Sequence, residues 1–97
     1  MAFIQIMTYT TSRRDELDAA KRQWVEDTDE VSRVRRRLLL RDRERQDHYV
    51  EVVFFDSYED AMHNSRLPAT VQLSKLCEQL CDGAFEFSNL DVVMDGF

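Results

Sequence analysis

The sequence predicts an α+β fold with the element order β-α-β-β-α-β, in which one antiparallel sheet carries its helices on a single face. Two strand-like runs joined by a short polar turn occupy residues 32–56. Amphipathic segments with the spacing of helices lie before and after this hairpin. Strand-like runs near both ends of the sequence complete the order, which is that of the split βαβ, or ferredoxin-like, arrangement.

The first strand is predicted at Phe3 to Thr10, where β-branched and aromatic residues are frequent. The first helix is predicted over residues 13–28, with Ser12 as its N-cap and an acidic residue three positions later. Its apolar stripe contains Leu17, Ala20 and Trp24. Lys21 is expected on the solvent-exposed side of this helix.

Alternate positions of the predicted hairpin differ in chemistry. One parity of its first strand carries Arg33, Arg35, Arg37, Arg41 and Arg43. Because successive side chains of a strand point to opposite faces, one face should be cationic and the other mostly apolar. The register that separates these chemistries, across a turn at residues 44–47, places Arg41 opposite Glu51 and Leu40 opposite Val52.

The two faces of the sheet should have different neighbours. The parity expected to pack against the helices contains Ile4, Ile6, Leu38, Leu40 and Val52. The parity expected to be free of helices contains Phe3, Met7, Tyr9, Leu39, Tyr49, Val53 and Phe55, together with the arginines. An exposed apolar face of this size implies a partner, so we expect a homodimer formed through it.

The second helical region is predicted to be broken. Ser57 is the expected N-cap of a short helix, and Pro68 is well placed in the first turn of the helix that follows. Gly83 should end that helix at the C′ position. The last strand is predicted over residues 85–94.

Length, charge and hydropathy limit the function classes. A chain of 97 residues predicts a single domain over residues 1–97. A formal net charge of −6 argues against nucleic acid as a partner. No apolar run reaches the ~18 residues of a membrane span, and no secretory signal is recognised, so a cytoplasmic location without membrane contact is expected.

Cys77 and Cys81 lie four residues apart in the second helical region. Two thiolates do not complete a tetrahedral zinc site, so both are expected to be buried, reduced and free of metal. The sequence contains neither a Gly-rich phosphate loop nor a nucleophile elbow, so these motifs point to no enzyme class.

Four features occur together: the element order, the run VVFFDSYEDAM, the helix restart at Pro68 and the closing FSNLDVVM. In these features the chain resembles the dimeric α/β-barrel superfamily, in particular the antibiotic-biosynthesis-monooxygenase-like proteins. Its ending LCDGAFEFSNLDV also resembles small actinobacterial proteins. The resemblance implies a homodimer packed sheet against sheet, with a small organic ligand between the sheets or between each sheet and its helices.

The same resemblance implies a cofactor-independent oxygenase that acts on an aromatic or polyketide-like compound. The haem-degrading branch of the superfamily uses an Asn, a Trp and a His, and the nearest positions here hold Met7, Asn64 and Leu73. Haem degradation is therefore not expected, and no cofactor is expected either.

Candidate ligand-binding residues lie on the arginine-bearing parity or beside the helix break: Gln5, Tyr9, Arg35, Arg37, Arg41, Tyr49, Glu51 and His63. Guanidinium groups suit a planar anion such as a carboxylate or phenolate, and His63 could serve as a general base. The arginines could instead form salt bridges across a dimer interface, in a non-catalytic structural or regulatory protein. The ligand interpretation requires an enclosed pocket of roughly 300 Å³ or more with a few convergent polar groups. The structural interpretation predicts an interface filled by arginine–carboxylate pairs and aromatic residues.

Overall fold

A computed structural model describes residues 2–96 of the chain. Its elements are β1 (Phe3–Thr10), α1 (Arg14–Thr28), β2 (Arg36–Arg41), β3 (His48–Phe55), α2 (Tyr58–Ser65), α3 (Pro68–Leu80) and β4 (Glu86–Asp91). The predicted α+β, ferredoxin-like fold is confirmed, and the second helical region is broken as expected. None of the helices within residues 2–96 combines the length and hydropathy that a bilayer span requires.

The strands form one antiparallel sheet in the order β2-β3-β1-β4. In the β2-β3 hairpin, Leu39 lies opposite Glu51 and Leu40 opposite Val50. The predicted register, which placed Arg41 opposite Glu51, was therefore wrong by two residues. A shift of two keeps every side chain on its own face, so the separation into two parities survives the correction.

The turn explains the shift in register. Asp42 ends β2, because its Oδ1 accepts hydrogen bonds from the main-chain N–H groups of Glu44 and Arg45 at 2.8 and 3.2 Å. The chain returns through Asp47, which has a positive φ of 59°. The loop therefore spans residues 42–47 and is longer than predicted.

The helices cover the opposite face of the sheet from the one predicted. Phe3, Tyr9, Tyr49, Val53 and Phe55, expected on the helix-free face, are at most 6% exposed and form two buried clusters with helical residues. Ile4, Ile6, Leu38, Leu40 and Val52, expected against the helices, lie on the helix-free face, where Leu40 is 46% exposed. Both parities of β1 and β3 are largely apolar, so hydrophobic alternation separates the faces without showing which one the helices cover.

A side-chain cap marks the start of α2 but not the start of α1. Ser57 is the N-cap of α2, and its Oγ accepts a hydrogen bond from the N–H of Asp60 at 3.1 Å, as predicted. The predicted role of Ser12 is wrong, because α1 begins one residue later with Arg13 as N-cap. The N–H of Ser12 instead donates to Asp82 Oδ2 at 2.9 Å, which ties this loop to the end of α3.

The end of α3 also differs in detail from the prediction. Pro68 is its first residue, as expected, but its C-cap is Cys81. Gly83, with φ +95°, therefore lies one position beyond C′ and not at C′ as predicted. Cys77 is buried as expected, whereas Cys81 is only half-buried, and both are free cysteines. Residues 2–96 contain no group of three or more side chains suited to holding a metal ion.

Candidate ligand site between the sheet and the helices

Four side chains from four elements form a buried ion cluster: Tyr9, Lys21, Arg37 and Glu51. Lys21 Nζ donates to Glu51 Oε2 at 2.7 Å and to the Tyr9 hydroxyl at 2.5 Å. Arg37 Nε and Nη2 both donate to Glu51 Oε1, at 2.9 and 2.7 Å. The cluster therefore connects α1 to the three adjacent strands β1, β3 and β2.

Local structure places the two innermost charges inside the fold. Lys21 lies on the buried side of α1, one turn after Leu17. Glu51 is the central buried position of β3, between Tyr49 and Val53 on the same face. The side chains of Lys21 and Glu51 are only 7% and 6% exposed, respectively. Charges this deep persist only when they are paired and hydrogen-bonded.

Both of these charges are retained near neutral pH. Burial alone would lower the pKa of Lys21, but the Glu51 carboxylate and the Tyr9 hydroxyl outweigh it, and the pKa is raised. Burial alone would raise the pKa of Glu51, but Lys21 and Arg37 outweigh it, and the pKa is lowered. Because burial raises the pKa of Tyr9, its hydroxyl stays neutral. Two cations and one anion leave the cluster with one surplus positive charge.

A cavity of about 130 Å³ lies against the ion cluster, between the sheet and the helices. Its apolar lining consists of Met7, Val34, Val53, Phe55, Ala61, Leu73 and Phe87. Its remaining lining consists of Gln5, Lys21, Trp24, Arg37, Glu51, Asn64, Ser65, Thr70 and Cys77. The space is smaller than the roughly 300 Å³ that the ligand interpretation required, so that requirement is not met. Its volume is comparable to the ~150 Å³ cavity that binds benzene in an engineered protein.

Most side-chain N–H donors in this lining belong to the two cations, Lys21 and Arg37. Lys21 Nζ has three N–H groups, and within residues 2–96 two are directed to Tyr9 and Glu51. Arg37 has five N–H groups, of which Nε and one on Nη2 serve Glu51. Asn64 is engaged at both ends, since Oδ1 accepts from the N–H of Arg33 at 2.7 Å and Nδ2 donates to Ser32 Oγ at 2.9 Å. A ligand oxygen in the cavity would therefore meet an ammonium and a guanidinium.

Trp24 gives the cavity an aromatic side. Its Nε1 donates to Thr70 Oγ1 at 2.9 Å, which fixes the indole between α1 and α3. Arg37 Cζ lies 5.2 Å from the centre of the Trp24 ring, within the range of a cation–π interaction. The site thus combines a ring face with a positive charge.

The structure brings some of the predicted site residues together. Gln5, Arg37 and Glu51 line the cavity. Tyr9 adjoins it through its bond to Lys21, and Tyr49 packs against Tyr9 with 6.0 Å between ring centres. A role for each of these residues in ligand binding stays a prediction.

The remaining predicted residues lie away from the cavity. Arg35 pairs with Asp56 at the surface, and Arg41 is exposed at the end of β2. His63 Nε2 lies 2.9 Å from the main-chain oxygen of Val31, so this nitrogen is engaged in holding the loop before β2. Any role of these three in binding or catalysis requires a site other than this cavity.

Sequence reasoning missed Lys21 and treated Trp24 only as part of the core. A signal for Lys21 was present, because it lies four residues after Leu17 and three before Trp24, on the apolar stripe of α1. Glu51 gave the matching signal as a lone acid within an apolar strand. Asn64 and Thr70 had no comparable signal, since short polar residues at helix ends are common.

No protein-family model matches the chain, and no curated protein matches its sequence. Solved structures do match. SnoaB, a cofactor-independent oxygenase from Streptomyces nogalater, is 13% identical, with 97% of this chain and 95% of that chain covered and a TM-score of 0.80. An antibiotic biosynthesis monooxygenase is 15% identical, with 97% and 100% covered and a TM-score of 0.75.

A conserved protein from Methanosarcina mazei is 10% identical, with 93% of this chain and 91% of that chain covered and a TM-score of 0.81. Identities this low establish a common fold and leave the chemistry of this chain to its own residues. The chain therefore shares the α+β, ferredoxin-like fold of antibiotic biosynthesis monooxygenases.

Proposed function

We propose that this protein is a cofactor-independent oxygenase that binds a small, electron-rich aromatic compound in the cavity between the sheet and the helices. The observation that carries the proposal is the ion cluster, whose surplus positive charge lies beside the Trp24 ring on the partly exposed Arg37 guanidinium. An ionised phenol offers the two features that such a site would bind, a negative oxygen and a flat ring. The fold shared with a cofactor-independent oxygenase supports the same reaction class.

The cluster favours the reactive form of such a substrate. Tyr9 accepts a hydrogen bond from Lys21, yet burial raises its pKa. A substrate phenol in the cavity would meet both Lys21 and Arg37, and each positive charge lowers the pKa of a phenol. The phenolate is the more electron-rich species, so its formation prepares the ring for reaction with O₂. Glu51 holds both cations in position by its hydrogen bonds.

The overall reaction needs no external reductant. In the simplest case a phenol and O₂ yield a para-quinone and water. A ring carbon forms the new C–O bond, the O–O bond breaks, and the second oxygen leaves as water with the phenolic proton and the proton of that ring carbon. Negative charge moves from the phenolate to the departing oxygen, and fixed donors such as Lys21 and Arg37 stabilise charge of this kind.

Oxygen consumption tests the proposal. We expect protein-dependent uptake of one O₂ per quinone formed when single-ring phenols with a hydrogen on the para carbon are supplied, measured with an oxygen electrode above the rate without protein. Lys21→Met should lower this rate by about 10²–10³-fold, the usual effect of removing one charge-stabilising donor. Lys75→Met changes an exposed lysine of α3 and should leave the rate unchanged.

Two results would contradict the proposal: no protein-dependent uptake with any compound of the series, or uptake that Lys21→Met and Lys75→Met affect equally. The first result, together with a stable dimer, would favour the alternative of a non-catalytic structural or regulatory protein.

We further propose that two copies of the chain assemble through the helix-free face. The residues that support this are Ile4, Ile6, Leu38, Leu40, Val50, Val52, Phe54 and Leu90, all half-buried or exposed. A continuous apolar surface on a small chain favours association, because a second copy would remove it from water. This is the opposite face from the one that carries Glu51 and Arg37, so the ligand cavity belongs to each subunit separately.

A further inference from the structure

We infer that Arg37 sets the size of the ligand that the cavity accepts, an inference that rests on the function proposed for this cavity. Arg37 lines the cavity of about 130 Å³ and also two open grooves on the surface. One groove of about 350 Å³ includes Trp24, Val34 and Arg35. The other, of about 380 Å³, includes Arg22 and Leu39. Among residues 2–96, Arg37 is the one residue that borders all three of these spaces.

The guanidinium of Arg37 is held between the cavity and the two surface grooves. Glu51 Oε1 accepts two of its N–H groups, and Cζ lies 5.2 Å from the centre of the Trp24 ring. The side chain is 26% exposed, while that of Glu51 is 6% exposed. One side of the guanidinium therefore meets the buried carboxylate, and the rest of the side chain reaches solvent.

Other residues line both the cavity and one of the grooves, but they are less able to determine the size of the ligand. Lys21 is fixed by two hydrogen bonds and is almost fully buried, and Trp24 is fixed by Thr70. Arg37 has a long, unbranched stem on an edge strand, so its removal would open space, at the cost of its two hydrogen bonds to Glu51.

Arg37 should therefore limit the number of fused rings in the ligand. With Arg37 in place, the cavity of about 130 Å³ is close in volume to a cavity that binds benzene, about 150 Å³, and suits a single ring. Without its side chain, the cavity would continue into the grooves, and a second or third fused ring could extend into them. Arg37 is thus a specificity-determining residue for the size of an aromatic anion.

Binding of three acids that share one head group tests this inference. Benzoate, 2-naphthoate and anthracene-2-carboxylate carry the same carboxylate on one, two and three fused rings. Isothermal titration calorimetry would give their Kd values for wild type, Arg37→Ala, Arg37→Lys and Arg35→Ala. The readout is the ratio of the Kd of each larger acid to the Kd of benzoate. Loss of a positive charge weakens the binding of all three acids alike and therefore cancels in this ratio.

We expect wild type to bind benzoate about tenfold or more tightly than 2-naphthoate, a typical discrimination by pocket size. Arg37→Ala should reduce or reverse this preference. Arg37→Lys keeps a charge near Glu51 but lacks the guanidinium plane, so it should shift the ratio in the same direction by less. Arg35→Ala, at a residue that lines only a groove and pairs with Asp56, should leave the ratio unchanged.

The inference is overturned if the ratio is unchanged in every Arg37 variant that folds, or if wild type binds none of the acids. Should Arg37→Ala fail to fold, Arg37→Lys decides the question alone. Oxygen uptake separates this inference from the proposed function. A ring-size preference that depends on Arg37 without oxygen uptake would refute the reaction and keep the binding site, whereas uptake with no such dependence would refute only the role of Arg37.

Discussion

At the scale of single residues, the ion cluster depends on Glu51. Its two oxygens bind Lys21 and Arg37, and it has 6% side-chain exposure. Glu51→Gln keeps the shape of the side chain but removes the charge that Lys21 needs. Because loss of one partner of a buried pair costs about 3–5 kcal/mol, we expect the free energy of unfolding at pH 7 to fall by about that amount. Urea unfolding followed by circular dichroism measures this change, and a loss near zero would show that Lys21 is not held by Glu51.

The contribution of Glu51 should depend on pH with a defined sign. Burial opposes its ionisation, but Lys21 and Arg37 outweigh burial, so its pKa is lower in the folded chain than the ordinary value of 4.5. The unfolded chain therefore takes up this proton at a higher pH than the folded chain does. The stabilisation is complete above pH 4.5 and is lost as the pH falls through the folded pKa.

The stability difference between wild type and Glu51→Gln should accordingly shrink in acid. Urea midpoints of both proteins between pH 7 and pH 3 would show this trend. A difference that stays constant over that range would mean that Glu51 has the same pKa in the folded and the unfolded chain.

Contacts between charged residues could be predicted from the sequence only within one local unit, the β2-β3 hairpin. Alternation placed Arg37 and Glu51 on the same face of the sheet, and the structure joins them. Lysine is seldom buried, so Lys21 was expected in solvent despite its position on the apolar stripe. Its partners Tyr9 and Glu51 come from other elements, at separations of 12 and 30 residues, and no local spacing indicates such a contact.

At the scale of elements, the two serines expected as N-caps provide a matched test. Ser57 Oγ accepts a hydrogen bond at the start of α2, whereas Ser12 precedes the N-cap of α1. Ser57→Ala should lower the free energy of unfolding by about 1 kcal/mol, the typical effect of losing an N-cap. Ser12→Ala should change it much less, since within residues 2–96 only the main chain of Ser12 is bonded. Equal losses in thermal or urea unfolding would contradict this assignment.

The reactivity of Cys77 and Cys81, at the end of α3, provides a separate test of where the ligand binds. Cys77 is buried and lines the cavity, and burial raises its pKa to about 11. Cys81, at the C-cap, is half-buried. We expect iodoacetamide at pH 8 to modify Cys81 before Cys77, and benzoate to slow only the modification of Cys77. Peptide mass spectrometry distinguishes the two sites, and equal protection of both would place the ligand outside this cavity.

At the scale of the whole molecule, the helix-free face should carry the dimer contact. Leu40 on this face and Val25 on α1 are similarly exposed, at 46% and 43%. Leu40→Asp would bury a carboxylate in the interface and should weaken dimerisation, whereas Val25→Asp should not. Sedimentation velocity across a concentration series measures both variants. A monomeric wild type at micromolar concentration, or equal effects of the two changes, would contradict the proposed assembly.

The overall architecture could be predicted because it follows from element order and the separation of polar from apolar parities. The assignment of faces could not, because a chain that exposes an apolar sheet face has two apolar parities and only tertiary packing chooses between them. The cavity depends on how α1 and α3 lie over the sheet, which brings Lys21 and Cys77 to the same space. Contacts of that kind arise between distant segments and leave no periodic signal.

The most direct test of the cavity as the ligand site is a crystal structure of the protein with benzoate bound. We expect the ring to lie between the sheet and the helices beside Trp24, with the carboxylate within hydrogen-bonding distance of Lys21 Nζ and the Arg37 guanidinium. Benzoate bound instead between the sheets of two subunits, or only on the outer surface while the cavity is empty, would contradict this site.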